Sequence, residues 1–390
     1  MKLRPTVSVC ALTTLPLGLL LGACSLTESN TKDPKGTGPV TVTSSDDACE
    51  LSTTKAGSGT LTFSVKNTGS KVTEFYLYAE DGKRIVGEVE NIGPGLTRDL
   101  VVTASPGKYV TACKPGMEGD GIRADFTVTD SGKVSTASEA EQANVKRATD
   151  GYADYVREQA EDLVKRTTQF VAAYQAGNDD LARSLYATAR QPWERIEPVA
   201  ESFGDLDPKM DLREADLEAG QEWTGWHRIE KDLWPPASGY SALTKAERTR
   251  YADDLLANTK TLHTRVQTLT YEPTQLGNGS KELMDEVATG KITGEEEIWS
   301  HTDLYDFQAN VDGAKEAFEL LEPILESKDH ELEEQIDERF DALQKLLDTY
   351  RQGDGFVSYE TVTEAQRKDL SDAVNALAEP LSKVSGVVAS

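Results

Sequence analysis

Two hydrophobic periods divide the chain. From about Val40 to Val128, short stretches alternate apolar and polar positions. Leu61, Phe63 and Val65 do so in one stretch, Phe75 and Leu77 in another, and Tyr109 and Val110 lead into Cys113. Alternation at period two turns one face of a strand to a core and the other to solvent. Glu80-Asp81-Gly82, Gly93-Pro94-Gly95 and Ser105-Pro106-Gly107 punctuate these stretches with turn-forming residues. The pattern predicts a small antiparallel sandwich over residues 46–130. After a Ser/Gly/Glu linker at 131–145, apolar residues recur at helical intervals of four and seven, as in Leu163, Phe170 and Tyr174. Thr244-x-x-Glu247 and Thr363-x-x-Gln366 have the form of capping boxes, and Trp234-Pro235-Pro236 and Gly290 are stop signals. About seven or eight helices packed as a large antiparallel bundle are expected over residues 146–390.

The first residues follow neither period. Lys2 and Arg4 precede an apolar run from Val7 to Ala23, which ends in Leu21-Gly22-Ala23-Cys24. This is the layout of an export signal, and it is too short to span a membrane. Its end resembles a bacterial lipobox, which implies cleavage before Cys24 and lipidation of that cysteine. Residues 24–45, rich in Ser, Thr, Gly and Pro, read as a flexible tether.

Charge sharpens the division. The 390 residues carry 41 Lys+Arg and 67 Asp+Glu, a formal net charge of −26. An acidic surface argues against nucleic acid, because phosphate binding needs the opposite sign. Residues 24–140 hold 12 basic and 16 acidic side chains, whereas 141–390 hold 27 and 51, a net of −24. All four His and all five Trp also lie in the second half. Much of the acid is expected on solvated helix faces.

One constellation departs from that expectation. Trp226-His227-Arg228-Ile229-Glu230 is expected mid-helix, with His227 and Glu230 at i/i+3 on one face. Trp193-Glu194-Arg195-Ile196-Glu197 repeats the pentad with Glu in place of His. Two helices that each offer such a pair can build a metal site inside a bundle. An oxygen-rich set with one imidazole suits iron, manganese or calcium better than a soft metal. In Glu295-Glu296-Glu297-Ile298-Trp299-Ser300-His301, Glu297 and His301 fall at i/i+4. The His-Glu-x-x-His motif of zinc peptidases is absent from this constellation.

The Gly-x-His-x-x-Glu run at Gly225 to Glu230 resembles the signature of the imelysin-like family. The stretches Arg190 to Pro198, Phe203 to Asp207 and Ser300 to Asn310 resemble its EfeO branch of iron-uptake lipoproteins. The resemblance implies a multidomain chain: a small all-β cupredoxin-like sandwich followed by a larger all-α helical-bundle, imelysin-like domain. It also implies an iron-import role beside a membrane permease and a haem-peroxidase-like partner. By position it implies Glu194, Glu197, His227 and Glu230 as metal ligands, with Asp211 and Glu297 beside them. The family was once grouped with metallopeptidases, and related proteins bind acidic polysaccharides through metal. Both activities stand as rival readings.

The sandwich departs from a blue-copper domain, which needs two histidines; residues 1–226 contain none. Cys49, Cys113 and Met117, with an acid such as Glu74 or Glu90, leave two readings open. One is a copper or second iron site. The other is a Cys49–Cys113 disulfide, the commoner fate of two cysteines after export.

Overall fold

The computed structural model describes residues 38–132, 138–217 and 220–390. The leader, Cys24 and most of the expected tether lie outside them. The sandwich begins earlier than its turn signals suggested. β1 (Val40–Ser44) falls inside the segment expected to be a tether, and Val40, Val42 and Ser44 are buried in alternation. Composition there reads as linker, but the Val-Thr-Val-Thr alternation decides the structure. β2 (Cys49–Leu51), β3 (Lys55–Gly57), β4 (Gly59–Asn67), β5 (Thr73–Ala79), β6 (Ile85–Ile92), β7 (Thr97–Ala104), β8 (Gly107–Cys113) and β9 (Ile122–Thr129) complete the domain. They form a four-stranded sheet in the order β2-β1-β4-β7 and a five-stranded sheet in the order β3-β9-β8-β5-β6. β1 pairs with β4, and β3 with β9, in parallel; the other pairs are antiparallel. Phe63 faces Phe75 and Phe126 at ring-centroid distances of 5.2 and 5.3 Å in the core between the sheets.

Cys49 and Cys113 are joined by a disulfide that ties β2 of one sheet to β8 of the other. Among the described residues, neither cysteine nor Glu74 or Glu90 belongs to a His/Cys/Asp/Glu group placed to hold an ion. The Tyr76 hydroxyl donates to Glu74 (2.8 Å) and lies 3.3 Å from Glu90. Met117 is 45% exposed, in the turn after β8. The bridge closes a loop of sequence separation 64. A Cys49→Ser, Cys113→Ser variant is therefore expected to lose about 2–4 kcal/mol. Denaturant titration of both proteins, with and without reductant, checks this; equal midpoints would overturn it.

The helical part also starts early. Ser138 and Glu141 cap each other's backbone at the head of α1 (Glu139–Gln175), so the second half of the expected linker is helix. Then come α2 (Asp179–Glu194), a 3-10 helix (Glu197–Phe203), α3 (Asp207–Met210), α4 (Trp226–Leu233), α5 (Lys245–Val266), α6 (Pro273–Thr289), α7 (Asp303–Lys328), α8 (His330–Asp348), α9 (Glu364–Leu381) and α10 (Val384–Val388). α1 packs on α2, α5 and α7, and α6 packs on α7 and α9. The boxes at Thr244 and Thr363 are both formed.

Two glycines set the spacing around the centre of the bundle. A Cβ on Gly313 of α7 would lie 2.2 Å from the carbonyl oxygen of Arg195, so only glycine lets α7 cross the end of α2 so closely. Gly225 has φ +88°, and a Cβ there would lie 2.2 Å from the Met210 carbonyl. It turns the chain into α4 and swings the next residues into the core.

The sandwich is seated on α6. Asn278 Nδ2 donates to the Val101 carbonyl (2.9 Å), and the Thr103 amide donates to Thr274 Oγ1 (3.1 Å). Beside this contact a cleft of about 810 Å³ runs between the two parts.

Candidate metal centre

The inner end of the cleft is built from helix ends and turns. His227 is the second residue of α4, placed in its first turn rather than mid-helix, and its ring is fully buried. Nε2 lies 3.4 Å from both Asp211 Oδ1 and Glu296 Oε1. Nδ1 lies 3.3 Å from Glu230 Oε2 and 3.9 Å from Glu297 Oε1. Two candidate triads therefore share one imidazole: Asp211–His227–Glu296 and His227–Glu230–Glu297, each with ligand atoms within 4.8 Å of one another. The ring nitrogens point in different directions, so one ion cannot take both triads.

Access and charge distinguish the two sides. Asp211 and Glu296 line the cleft; Glu230 and Glu297 do not. Glu230 Oε1 is held by the backbone N–H groups of Trp299 (3.0 Å) and Ser300 (2.7 Å). Glu297 accepts from Tyr186 Oη (3.1 Å) and Ser300 Oγ (2.6 Å). Burial pushes the Glu297 carboxyl well up, and the Glu230 charge adds to it. At Asp211 burial acts the same way, but Arg190 first and the nearby His227 ring outweigh it and hold the carboxyl well below its usual range. Burial is likewise outweighed at Glu296, where Lys291 and His227 bring the carboxyl down to about 2. The cleft-side pair is ionised. Burial and Arg190 press the His227 pKa down, yet the carboxylates of Asp211, Glu230 and Glu296 around the ring carry it well up. A cation arriving at Nε2 competes with a proton there, because a histidine ligates metal in its neutral form. In the structure Nε2 makes no hydrogen bond among the described residues, although it is buried.

Other expected ligands serve a different lobe. Glu194 ends α2, and a turn at 195–196 interrupts the helix before Glu197 opens the 3-10 helix, so the pair does not share one regular helix. Both turn to Lys291, which is 1% exposed: Nζ is 3.0 Å from Glu194 Oε2 and 2.7 Å from Glu197 Oε2. Asn310 Nδ2 donates to the same two oxygens at 3.1 and 2.6 Å. Nor do Glu297 and His301 form a helical pair. Residues 295–302 form a turn ahead of α7, His301 has φ +56°, and its ring faces Glu360 at 3.4 Å. Glu296, its neighbour, meets His227 instead.

Sequence reasoning missed Glu296, Arg190, Lys291, Asp303 and Asp306. Arg190 carried a signal: it continues the buried stripe of α2 through Ala182, Tyr186 and Trp193, a charge at an apolar-periodic position. Asp303, Asp306 and Asn310 also fall on one buried face of α7. Lys291 carried none, since it follows the helix stop at Gly290.

From the cleft outward the walls stay acidic. Glu88 and Glu90 of β6 face Glu201, Asp207 and Glu282 of the helical part. Burial, first, and neighbouring acids raise Glu90 to about 7 and Glu201 to about 8. A cation entering between these walls would favour their ionised forms, as an opposite charge does beside any carboxyl.

A family model described as imelysin matches residues 148–384, and one described as a cupredoxin-like domain matches residues 17–128. The chain is 46% identical over 259 residues to a Staphylococcus haemolyticus (strain JCSC1435) protein named an Efem/EfeO family lipoprotein, covering 65% of this chain and 88% of that one. A protein of the same name from Staphylococcus aureus (strain MRSA252) is 46% identical over 256 residues, with the same coverage.

Proposed function

Since the chain belongs to the EfeM/EfeO family of lipoproteins, with a cupredoxin-like and an imelysin domain, we propose that it captures iron and delivers it to a membrane permease. The ion binds on the Nε2 side of His227, between Asp211 and Glu296. The observation that carries this reading is the buried Nε2, unbonded among the described residues, facing two ionised carboxylates at the end of an acidic cleft. Two carboxylates and one imidazole form a hard, oxygen-rich set suited to iron or manganese. Glu230 orients the ring from the far side by accepting from Nδ1–H, as outer carboxylates do at many histidine ligands. As a lipoprotein the chain is exported and held at a membrane by lipid; no helix among the described residues is long and apolar enough to cross one. The permease and a haem-peroxidase-like protein are its proposed partners.

Anaerobic calorimetric titration of the mature protein with ferrous iron, and with ferric citrate, tests the reading. One ion bound per chain is expected. No binding of either ion would overturn it.

A further inference from the structure

Arg190 stands where a bound ion has to be answered. Its guanidinium is fully buried and faces Glu194, Asp211, Glu296, Glu297 and Asp306. Asp211 is contested. Its Oδ1 is bonded to Arg190 Nη1 and lies 3.4 Å from His227 Nε2, while Oδ2 accepts from Trp193 Nε1 at 2.7 Å. A cation between Asp211, Glu296 and Nε2 would lie beside the guanidinium, and like charges at contact range repel strongly where water is excluded. An alternative acceptor is within reach. Asp306 is 1% exposed, both its carboxylate oxygens lack a hydrogen-bond donor among the described residues, and Oδ1 is 3.6 Å from Arg190 Nε. A buried carboxylate with no donor is costly to keep unless another state of the protein uses it.

We propose that Arg190 is a tethered counter-cation that holds Asp211 until a metal ion arrives and then turns to Asp306. The inference rests on the ion site at Nε2. Arg190 and Asp306 are positioning residues: neither touches the ion. A monovalent cation gains too little from Asp211 to displace a covalently attached guanidinium, so the exchange favours multivalent ions. The reverse turn returns a positive charge to Asp211 and assists release.

Manganese(II) alone is the probe, because it keeps its oxidation state in air. A crystal structure of the full mature chain saturated with manganese is expected to show the ion on His227 Nε2 and the Arg190 guanidinium donating to Asp306. In a paramagnetic-resonance titration, D306N should bind manganese about tenfold more weakly than wild type. Its metal-free melting temperature should change little, because Asp306 makes no hydrogen bond to lose and only the 3.6 Å contact with Arg190 Nε is weakened. Arg190 still on Asp211 in the loaded protein, the ion sitting on Asp306 itself, or D306N affinity within twofold of wild type would each overturn the exchange while leaving the ion site standing. An ion-free Nε2 at saturation would overturn the ion site and the exchange together.

Discussion

Replacing His227 with alanine is expected to abolish high-affinity iron binding. The imidazole is the only nitrogen ligand in either triad, and truncating it leaves Asp211 and Glu296 to hold the ion as an incomplete pair. Losing an outer carboxylate that merely orients such a ring costs about 10–100-fold in affinity. Losing the ring itself should exceed that, by about a thousandfold, whereas Glu230→Gln should fall within the smaller range. The ordering carries the weight. If Glu230 were a ligand of equal standing, both variants would fall together, and the ion would belong on the Nδ1 side, away from the cleft. Calorimetric titration of both variants reads the difference. Circular dichroism shows whether each keeps its helices, since the His227 ring also fills core volume. Wild-type affinity in His227→Ala would move the ion out of this site altogether.

How far the residues disclosed this centre depended on what carries each of them. The repeated pentads lie at the centre of the bundle, since Trp193 and Trp226 are both fully buried, and large aromatics at matching positions reveal core. The i/i+3 rule then located Glu230 correctly relative to His227, because both lie on α4. It failed for Glu194 and Glu197, which straddle a break in the helix, and for Glu297 and His301, which lie in a turn. Periodicity describes only regular elements. Asp211 follows the four-residue α3, Glu296 sits in that turn and Lys291 in a 3-10 turn. Their directions are set by what packs around them, as when Trp193 Nε1 fixes the Asp211 carboxylate. The sandwich shows the same limit in a milder form. Alternation gave its strands, but neither alternation nor spacing placed Cys49 and Cys113 opposite each other on two sheets; the fold does that.

Lys291→Met should give the largest loss of stability. The ammonium is buried, and it contacts both oxygens of Glu197 and one of Glu194. Burial alone would push its pKa down, but Glu194 and Glu197 outweigh that and carry it well up, so it stays charged. Methionine matches the stem in length and removes the ammonium, both its charge and its donors to Glu194 and Glu197. Breaking a buried pair from one side leaves the partner charges uncompensated, at about 3–5 kcal/mol. For a helical domain of this size that lowers the melting temperature by on the order of 10 °C. Lys291→Arg, which keeps the charge, should lose less. Differential scanning calorimetry without added metal checks both. The consequence reaches past stability. Lys291 answers the Glu194–Glu197 lobe, which leaves Arg190 to face Asp211 and Glu296, where the cleft opens. A Lys291→Met protein that melts with the wild type would mean that Glu194 and Glu197 need no internal cation.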